Sequence, residues 1–406
     1  MKKTLLTICL TWMCFSLSAQ KIIDLSGKWS FSIDRQDNGE KEKWFSHTLN
    51  DCINLPGSMP EKLKGDEVTA KTQWTGSLYD SSYYYNPYME KYRKEGNIKF
   101  PFFLTPDKHY VGAAWYQKEV NIPADWKGER ILLFLERPHI ETTVWVNGQK
   151  TGMQNSLCVP HQYDITRYVR PGKCTITIRV DNRIKEINVG PDSHSITDQT
   201  QGNWNGIVGR ICLQTTPKTY FDDIQIYPEP EQKLARVKVV IKGAGITKIK
   251  LSAESFNTDK KHIVPAIQQE IKLNKGVTET EMVLPMGNDM LLWDEFHPAL
   301  YKLKAEVTNG KKTEIKEIQF GMRRFEIKGK WFYVNGRKTQ LRGTVENCDF
   351  PLTGYAPMDV ESWERVFRIC RSYGLNHMRF HSFCPPEAAF IAADRVGFYP
   401  VSYTHL

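Results

Sequence analysis

Apolar and polar residues alternate through Leu25-Ser26-Gly27-Lys28-Trp29-Ser30-Phe31-Ser32-Ile33-Asp34, and again through Ala114-Trp115-Tyr116-Gln117-Lys118-Glu119-Val120. A period of two places successive side chains on opposite faces of an extended chain, so both runs predict strands with one buried face. Residues 131–135 and 142–146 predict two more, and Asn147-Gly148 directly after the latter is a two-residue hairpin signal. Cys174-Thr175-Ile176-Thr177-Ile178-Arg179-Val180 alternates again. Many short strands punctuated by Gly, Pro and Asn, with no helical stretch among them, predict a β-sandwich of jelly-roll type over residues 20–216. Between residues 71 and 106 the chain is rich in Tyr, Asn, Gly and Pro and predicts a long loop, of the kind that is functional or covers something.

A second β unit follows over residues 217–320. Val237-Lys238-Val239-Val240-Ile241, Ile249-Lys250-Leu251, Glu281-Met282-Val283-Leu284 and Tyr301-Lys302-Leu303-Lys304-Ala305-Glu306-Val307 are strand-like, and their spacing fits an immunoglobulin-like sandwich. The period then changes. One more strand is expected between Gly336 and Gly343, after which Val360, Trp363, Val366, Phe367, Cys370 and Tyr373 recur at helical spacing, with Asp359 as N-cap and Gly374 as stop. Asn376-His377-Met378-Arg379-Phe380 reads as a strand, Pro385-Pro386-Glu387 opens a second helix that Gly397 closes, and Phe398-Tyr399 starts a third strand. This rhythm is that of a parallel α/β unit, most simply the first strands and helices of a (β/α)8 barrel over residues 321–406. The fold class expected is therefore multi-domain and mainly β, with a barrel start at the C-terminal end.

Composition adds exclusions. A hydrophobic fraction of 40% and a charged fraction of 25% are ordinary for globular chains and disfavour long disorder or a polytopic membrane protein. The formal net charge is +9, and no block of like charge is interleaved with aromatics, which argues for a solvated surface and against a nucleic-acid partner. Met1-Lys2-Lys3, the apolar run over residues 5–17 and Ser18-Ala19-Gln20 read as a secretory signal peptide over residues 1–19, too short to span a bilayer, so an exported protein without a membrane span is expected. Cys52, Cys158, Cys174, Cys212, Cys348, Cys370 and Cys384 then remain, an odd set without CxxC spacing. No metal or other cofactor is expected, and buried free thiols are preferred over disulfides.

Several stretches resemble glycoside hydrolase family 2, the group of exo-acting β-galactosidases, β-glucuronidases and β-mannosidases. Ala114-Trp115-Tyr116, Val144-Trp145-Val146-Asn147-Gly148 and Trp204-Asn205-Gly206-Ile207-Val208-Gly209-Arg210 are similar to its sugar-binding-domain patterns. Leu292-Trp293 with His297-Pro298-Ala299-Leu300-Tyr301 resembles a segment of its sandwich domain. Gly321-Met322-Arg323-Arg324-Phe325, Val334-Asn335-Gly336 and Leu341-Arg342-Gly343 resemble the start of its barrel. The resemblance implies a carbohydrate partner with a β-linked terminal sugar and a retaining mechanism with two carboxylates. An oligomeric assembly is compatible with it.

The family's two glutamates follow barrel strands four and seven. Here the barrel begins near Phe325, against roughly 250 residues for a complete one, so both catalytic glutamates are expected beyond the end of this chain and the chain alone is expected to be inactive. Glu346, Asp349, Asp359, Glu361, Glu364, Glu387 and Asp394 are read as structural or peripheral. Substrate-binding candidates remain. Arg342 is expected to end strand one. Arg379 matches the family's strand-two arginine, which the resemblance implies positions site carboxylates; a core ion pair is the other reading. His381 lies two residues on, in a shifted register within His381-Ser382-Phe383-Cys384-Pro385. Asn347 stands where many relatives place histidines, in Glu346-Asn347-Cys348-Asp349. Asp198, with Gln199, Asn203 and Trp204, resembles a jelly-roll loop that reaches the sugar in some relatives; a hydrogen-bonded turn is the other reading.

Two expectations concern function and the chain's end. A non-catalytic carbohydrate-binding protein, with Trp74, Tyr83 or Trp204 as stacking platforms, is the alternative to a glycosidase. The run Pro400-Val401-Ser402-Tyr403-Thr404-His405-Leu406 does not resemble the family's continuation, which suggests an incomplete or artificially ended reading frame. A three-stranded open parallel sheet would then leave Met378, Phe380 and the helices uncovered, with poor solubility as the consequence.

Overall fold

The computed structural model describes residues 20–72, 75, 85–99, 102–185, 196, 198 and 201–403. The signal-peptide reading of residues 1–19, and Trp74, Tyr83 and Gln199, lie outside them.

Two antiparallel sheets face each other in the first part of the chain. One orders its strands Ile22–Asp24, Gly206–Thr216, Arg130–His139 and His161–Asp164; the other orders Gln149–Asn155, Glu141–Val146, Gly172–Asp181, Ala113–Ile122, Gly27–Asp34 and Asp51–Leu55. The alternation explains the pairing of faces: Trp29, Phe31, Tyr116, Val144, Val146, Ile176 and Ile178 from the second sheet meet Leu133, Leu135, Ile211 and Leu213 from the first in one core. Asn147 and Gly148 take positive φ of 49° and 76° and turn Val146 onto Gln149, as the dipeptide predicted. The strands are more buried than a one-sided alternation implies. Trp115, Trp145, Thr177 and Arg179 point away from the core yet are 0–7% exposed, because Leu49, Trp44 and Phe45 lie over that outer face.

In the second part, two strands of 23 residues, Leu234–Phe256 and Ile263–Pro285, form a hairpin that bends back over itself. The register slips between Gly243 and Gly245, and Gly245 and Gly276 hold φ of +89° and +115°, values that side-chain-bearing residues resist. Tyr220–Glu229 adds to one arm and Leu300–Asn309 with Lys312–Phe320 to the other. Val237, Val239 and Ile241 of one arm thereby bury against Leu251, Leu303 and Val307 of the other.

The third part opens with a small antiparallel sheet, Phe325–Lys328, Trp331–Val334 and Arg337–Thr339. Arg337–Thr339 consumes the alternation expected for the first parallel strand, which starts only at Gly343. Arg342 therefore precedes that strand rather than ending it, and its guanidinium donates to the Gly374 main-chain oxygen at 2.8 Å, on the opposite side from the strand's C-terminal end. Gly343–Glu346, His377–Phe380 and Tyr399–Ser402 run parallel, linked by helices α1 (Val360–Ser372) and α2 (Glu387–Val396). Asp359 caps α1 by accepting from Ser362 N at 2.7 Å, and Gly397 ends α2 at φ 75°. Met378 and Phe380, expected to be uncovered, are buried beneath both helices with Trp363, Phe367, Ala389 and Ala393. The open face is the other one, where Val345 and Val401 are 45% and 42% exposed on either side of Arg379. Pro400 and Val401 belong to the third strand, so the run that fits no family pattern still extends the sheet.

Candidate functional site

In the parallel sheet Glu346, Phe380 and Ser402 stand side by side, so the three strands deliver their next residues to one edge. There the His381 N–H donates to the Glu346 main-chain oxygen at 2.8 Å, and Ser402 Oγ donates to the Phe383 oxygen at 2.8 Å. His381 Nδ1 lies 2.5 Å from the Tyr403 hydroxyl, to which Arg379 Nη1 donates at 3.4 Å. Arg379, His381 and Tyr403 are thus one polar cluster, all half-buried.

The loop after the first strand adds carboxyls. Glu346 Oε1 accepts from Cys348 N at 2.8 Å. Burial raises the Glu346 carboxyl above its ordinary range against that hydrogen bond, and the nearby Asp349 charge adds to the rise. Burial likewise raises Asp349, with the Asn347 amide opposing, and Asp349 Oδ1 is buried with no hydrogen-bond partner among the described residues. Asn347 itself is exposed. Both acids, read from the sequence as peripheral, sit at the strand end in an environment that holds a proton readily.

The sandwich closes over this edge. Gln201 Nε2 donates to the His381 main-chain oxygen at 2.5 Å, and the Arg137 guanidinium to that of Cys384. Ser58 Oγ donates to the Thr353 oxygen at 2.5 Å, and Tyr355 OH to Glu61 at 2.9 Å. Trp204 packs between Tyr355, at 5.6 Å and 50°, and His139, stacked at 4.5 Å and 18°. Asn203 Oδ1 accepts from His139 Nε2 at 3.1 Å, and its amide donates to the Asn182 oxygen at 2.9 Å. Burial lowers the His139 imidazole to about 3, with Arg137 adding to the fall, so His139 is a neutral donor at ordinary pH.

The sequence-predicted residues therefore divide. Arg379 and His381 meet at the strand ends, Asn347 is on the adjoining loop, and Asn203 and Trp204 form the wall that the sandwich lays against that loop. Trp204 is 5% exposed with its ring covered, which makes it a wall rather than an open stacking platform. Asp198 stands apart: its oxygens accept from Thr75 N at 2.6 Å and Thr75 Oγ1 at 2.8 Å, with His109 Nε2 at 3.6 Å. Gln201, Arg137, His139, Tyr355 and Tyr403 were not legible, since each acts through a contact with a residue distant in sequence. Among the described residues no group of three or more His, Cys, Asp or Glu side chains is placed to hold a metal, and no helix is long and apolar enough to cross a membrane. Donors, acceptors and an aromatic wall at one rim suit a ligand rich in hydroxyl groups.

Residues 22–217 match the family model described as glycosyl hydrolases family 2, sugar binding domain, and residues 219–323 match that of glycosyl hydrolases family 2. A β-glucuronidase of Homo sapiens is 23% identical over 412 residues, covering 92% of this chain and 56% of that protein. A β-galactosidase of Thermoanaerobacter pseudethanolicus is 24% identical over 320 residues, covering 74% of this chain and 40% of that protein. A β-glucuronidase from Ruminococcus gnavus, solved in complex with D-glucuronic acid, has a similar fold, with a TM-score of 0.68 at 20% identity over 94% of this chain and 60% of that one. The chain spans about half the length of the curated relatives it matches.

Proposed function

Since the chain belongs to glycosyl hydrolases family 2, we propose that the whole protein is an exported exo-β-glycosidase that removes a terminal sugar from the non-reducing end of oligo- or polysaccharides. The observation that carries this is the rim itself: the C-terminal edge of a parallel sheet, covered by sandwich residues through Gln201 to His381, Arg137 to Cys384 and Trp204 to Tyr355. Open α/β sheets and barrels gather their chemistry at that edge. In this reading the first sandwich is a jelly roll, the second is immunoglobulin-like, and the parallel strands are the start of a (β/α)8 barrel.

Retention of configuration needs one carboxyl to protonate the leaving oxygen and a second, about 5 Å away, to attack the anomeric carbon. We assign both to later strands than the three described. The residues described here bind and shape: Glu346 and Asp349, raised by burial, accept or share protons with sugar hydroxyls, while His381, steadied by Tyr403, and Arg379 stand on the same rim. Trp204 and Tyr355 wall that rim on the sandwich side. A purely carbohydrate-binding role is less favoured, because the described aromatic platform is covered.

The test is a panel of p-nitrophenyl β-glycosides (glucuronide, galactoside and mannoside) with the whole protein, the product anomer being followed by NMR. Release from one glycoside with retained configuration is expected. Stabilisation by the free sugars without release from any glycoside would overturn the hydrolase reading, and turnover by residues 20–406 alone would overturn the assignment of both carboxylates to later strands.

A further inference from the structure

The hairpin of the second part leaves one strand at the edge of the sheet for its whole length. Leu234–Phe256 is paired on both sides, by Ile263–Pro285 on one and by Tyr220–Glu229 or Leu300–Asn309 on the other, whereas Ile263–Pro285 pairs with Leu234–Phe256 alone. No described strand lies on its outer side. Unpaired backbone groups along such an edge are a template for another strand. The other two edges of this sheet are less open. Lys312–Phe320 is held near both ends, by Lys312 Nζ to Glu129 at 2.5 Å and by Gln319 Nε2 to the Ile391 main-chain oxygen at 3.3 Å. Tyr220–Glu229 slips in register between Phe221 and Asp223 and carries Pro228, which has no N–H to offer.

Charge decides which half of the free edge can meet a copy of itself. From Ile267 to Leu273 the strand keeps a regular register against Gly245–Leu251, with a slip on either side. Glu270 and Lys272 are exposed there, and neither has an ion-pair partner among the described residues. A two-fold axis through Ile271, perpendicular to the sheet, sets Glu270 of one copy opposite Lys272 of the other, and does so twice. It also sets Ile271, half-buried against the second core, opposite its own copy. Moving the axis to Glu270 or to Lys272 brings that charge against itself. In the other half of the strand Glu279 and Glu281 already pair with Lys238 at 2.8 Å and Arg236 at 3.1 Å, and an axis through Thr280 would set acid on acid. Opposite charges directly across an antiparallel pair stabilise it and like charges destabilise it.

We propose that two copies of this chain join edge to edge through Gln269–Leu273, making one continuous antiparallel sheet about a two-fold axis at Ile271. The contact is isologous, with Glu270 and Lys272 as its specificity pair. It rests on main-chain hydrogen bonds and exposed charges over a short run, so the dimer is reversible, depends on concentration and weakens with salt. The interface lies on the second part, and it does not depend on the glycosidase reading.

The test is sedimentation velocity on the whole protein across a dilution series at low and high salt. A monomer–dimer equilibrium that salt shifts toward monomer is expected. Glu270→Lys sets lysine against lysine and is expected to leave a monomer; Glu270→Lys together with Lys272→Glu exchanges the signs and is expected to restore the dimer. A monomer at every concentration, a dimer that survives Glu270→Lys, or a double variant that stays monomeric overturns the proposal. A second readout needs no variant. An equal mixture of unlabelled and isotope-labelled protein is treated with a carbodiimide, digested and mapped by mass spectrometry. A Glu270–Lys272 amide joining a labelled to an unlabelled peptide is expected, and absence of such mixed pairs overturns the proposal.

Discussion

Gln201 and His381 are 180 residues apart in sequence, yet Gln201 Nε2 holds the His381 main-chain oxygen at 2.5 Å. The sandwich thus fixes where the histidine's backbone sits, while Tyr403 fixes where its ring points. Gln201→Ala removes the backbone hold and leaves Tyr403 in place. In the whole protein it is expected to raise KM roughly tenfold with kcat little changed, since a misplaced binding loop weakens positioning before it affects chemistry. Steady-state kinetics on the cleaved glycoside decide it. An unchanged KM would mean that the loop keeps its place without the sandwich.

His139 makes stability depend on pH. Its imidazole is held neutral, at about 3 in the folded protein against an ordinary value of 6.5, chiefly by burial. Between these values the unfolded chain binds the proton and the folded one does not, so stability is full above pH 6.5 and falls as pH drops toward 3. The slope from this one group approaches about 1.4 kcal/mol per pH unit well below 6.5. His139→Phe keeps a ring to stack on Trp204 and removes the titrating group. Denaturant midpoints measured between pH 7 and 4.5 are expected to fall less steeply in the variant than in the parent. Parallel slopes would show that His139 is not the group that titrates.

Asp181 anchors an ion-pair cluster on the outer face of the first sandwich. It is fully buried, and Arg179 Nη2, Arg183 Nη2 and Lys185 Nζ reach it at 3.0, 2.5 and 2.7 Å. Burial alone would raise its carboxyl, but hydrogen bonds from Arg183 and Lys185 and the Arg179 charge outweigh that and hold it well below the usual carboxylate range. Its contribution is present above pH 3.8 and disappears only as pH falls below that value. Asp181→Ala leaves the guanidinium of Arg179, 8% exposed, short of a partner, with Asp37 at 2.6 Å and Glu141 at 3.4 Å remaining. A loss of about 3–5 kcal/mol in urea unfolding at pH 7 is expected. A change under about 1 kcal/mol would show that those two acids suffice.

Local chemistry was legible and contacts across the chain were not. Asp359, Gly374 and Gly397 announced both helices because a cap and a left-handed stop are properties of a few neighbouring residues, and Asn147-Gly148 announced its hairpin for the same reason. Arg342 was misplaced because the alternation that precedes Gly343 fits an antiparallel hairpin as well as a parallel strand. Trp115 and Trp145 look one-sided in sequence, and only the return of Trp44 and Phe45 shows that their outer face is covered. At the site, the strand that carries Arg379 was read from its local pattern, while Arg379 itself, and His381 two residues beyond it, were singled out through the family resemblance. Tyr403 was passed over because its value lies in reaching His381 from the next strand, and Asp349 because an orphaned buried oxygen has no sequence signature.

The seam between the second part and the parallel unit offers a test of how closely the units are fitted. Trp293 is 2% exposed; its Nε1 donates to the Asp394 main-chain oxygen on α2 at 2.7 Å, the Arg323 guanidinium lies 5.2 Å from its ring, and Asn335 donates to its main-chain oxygen at 3.0 Å. Gly321 lies directly against it. A Cβ at that position would meet Trp293 Cβ, Cγ and Cδ1 at 2.9, 3.0 and 3.2 Å, contacts at the root of the side chain that no rotamer change relieves. Gly321→Ala must therefore push the tryptophan backbone or the Phe320–Met322 segment aside, and the movement is transmitted to α2 through the bond to Asp394. Overpacking of this kind costs about 1–3 kcal/mol. The expected outcome is a lower thermal midpoint, together with a red-shifted tryptophan emission as Trp293 loosens from α2. A variant with an unchanged midpoint and spectrum would show that the seam yields freely, and that Trp293 does not couple the sandwich to the sheet whose edge carries the site.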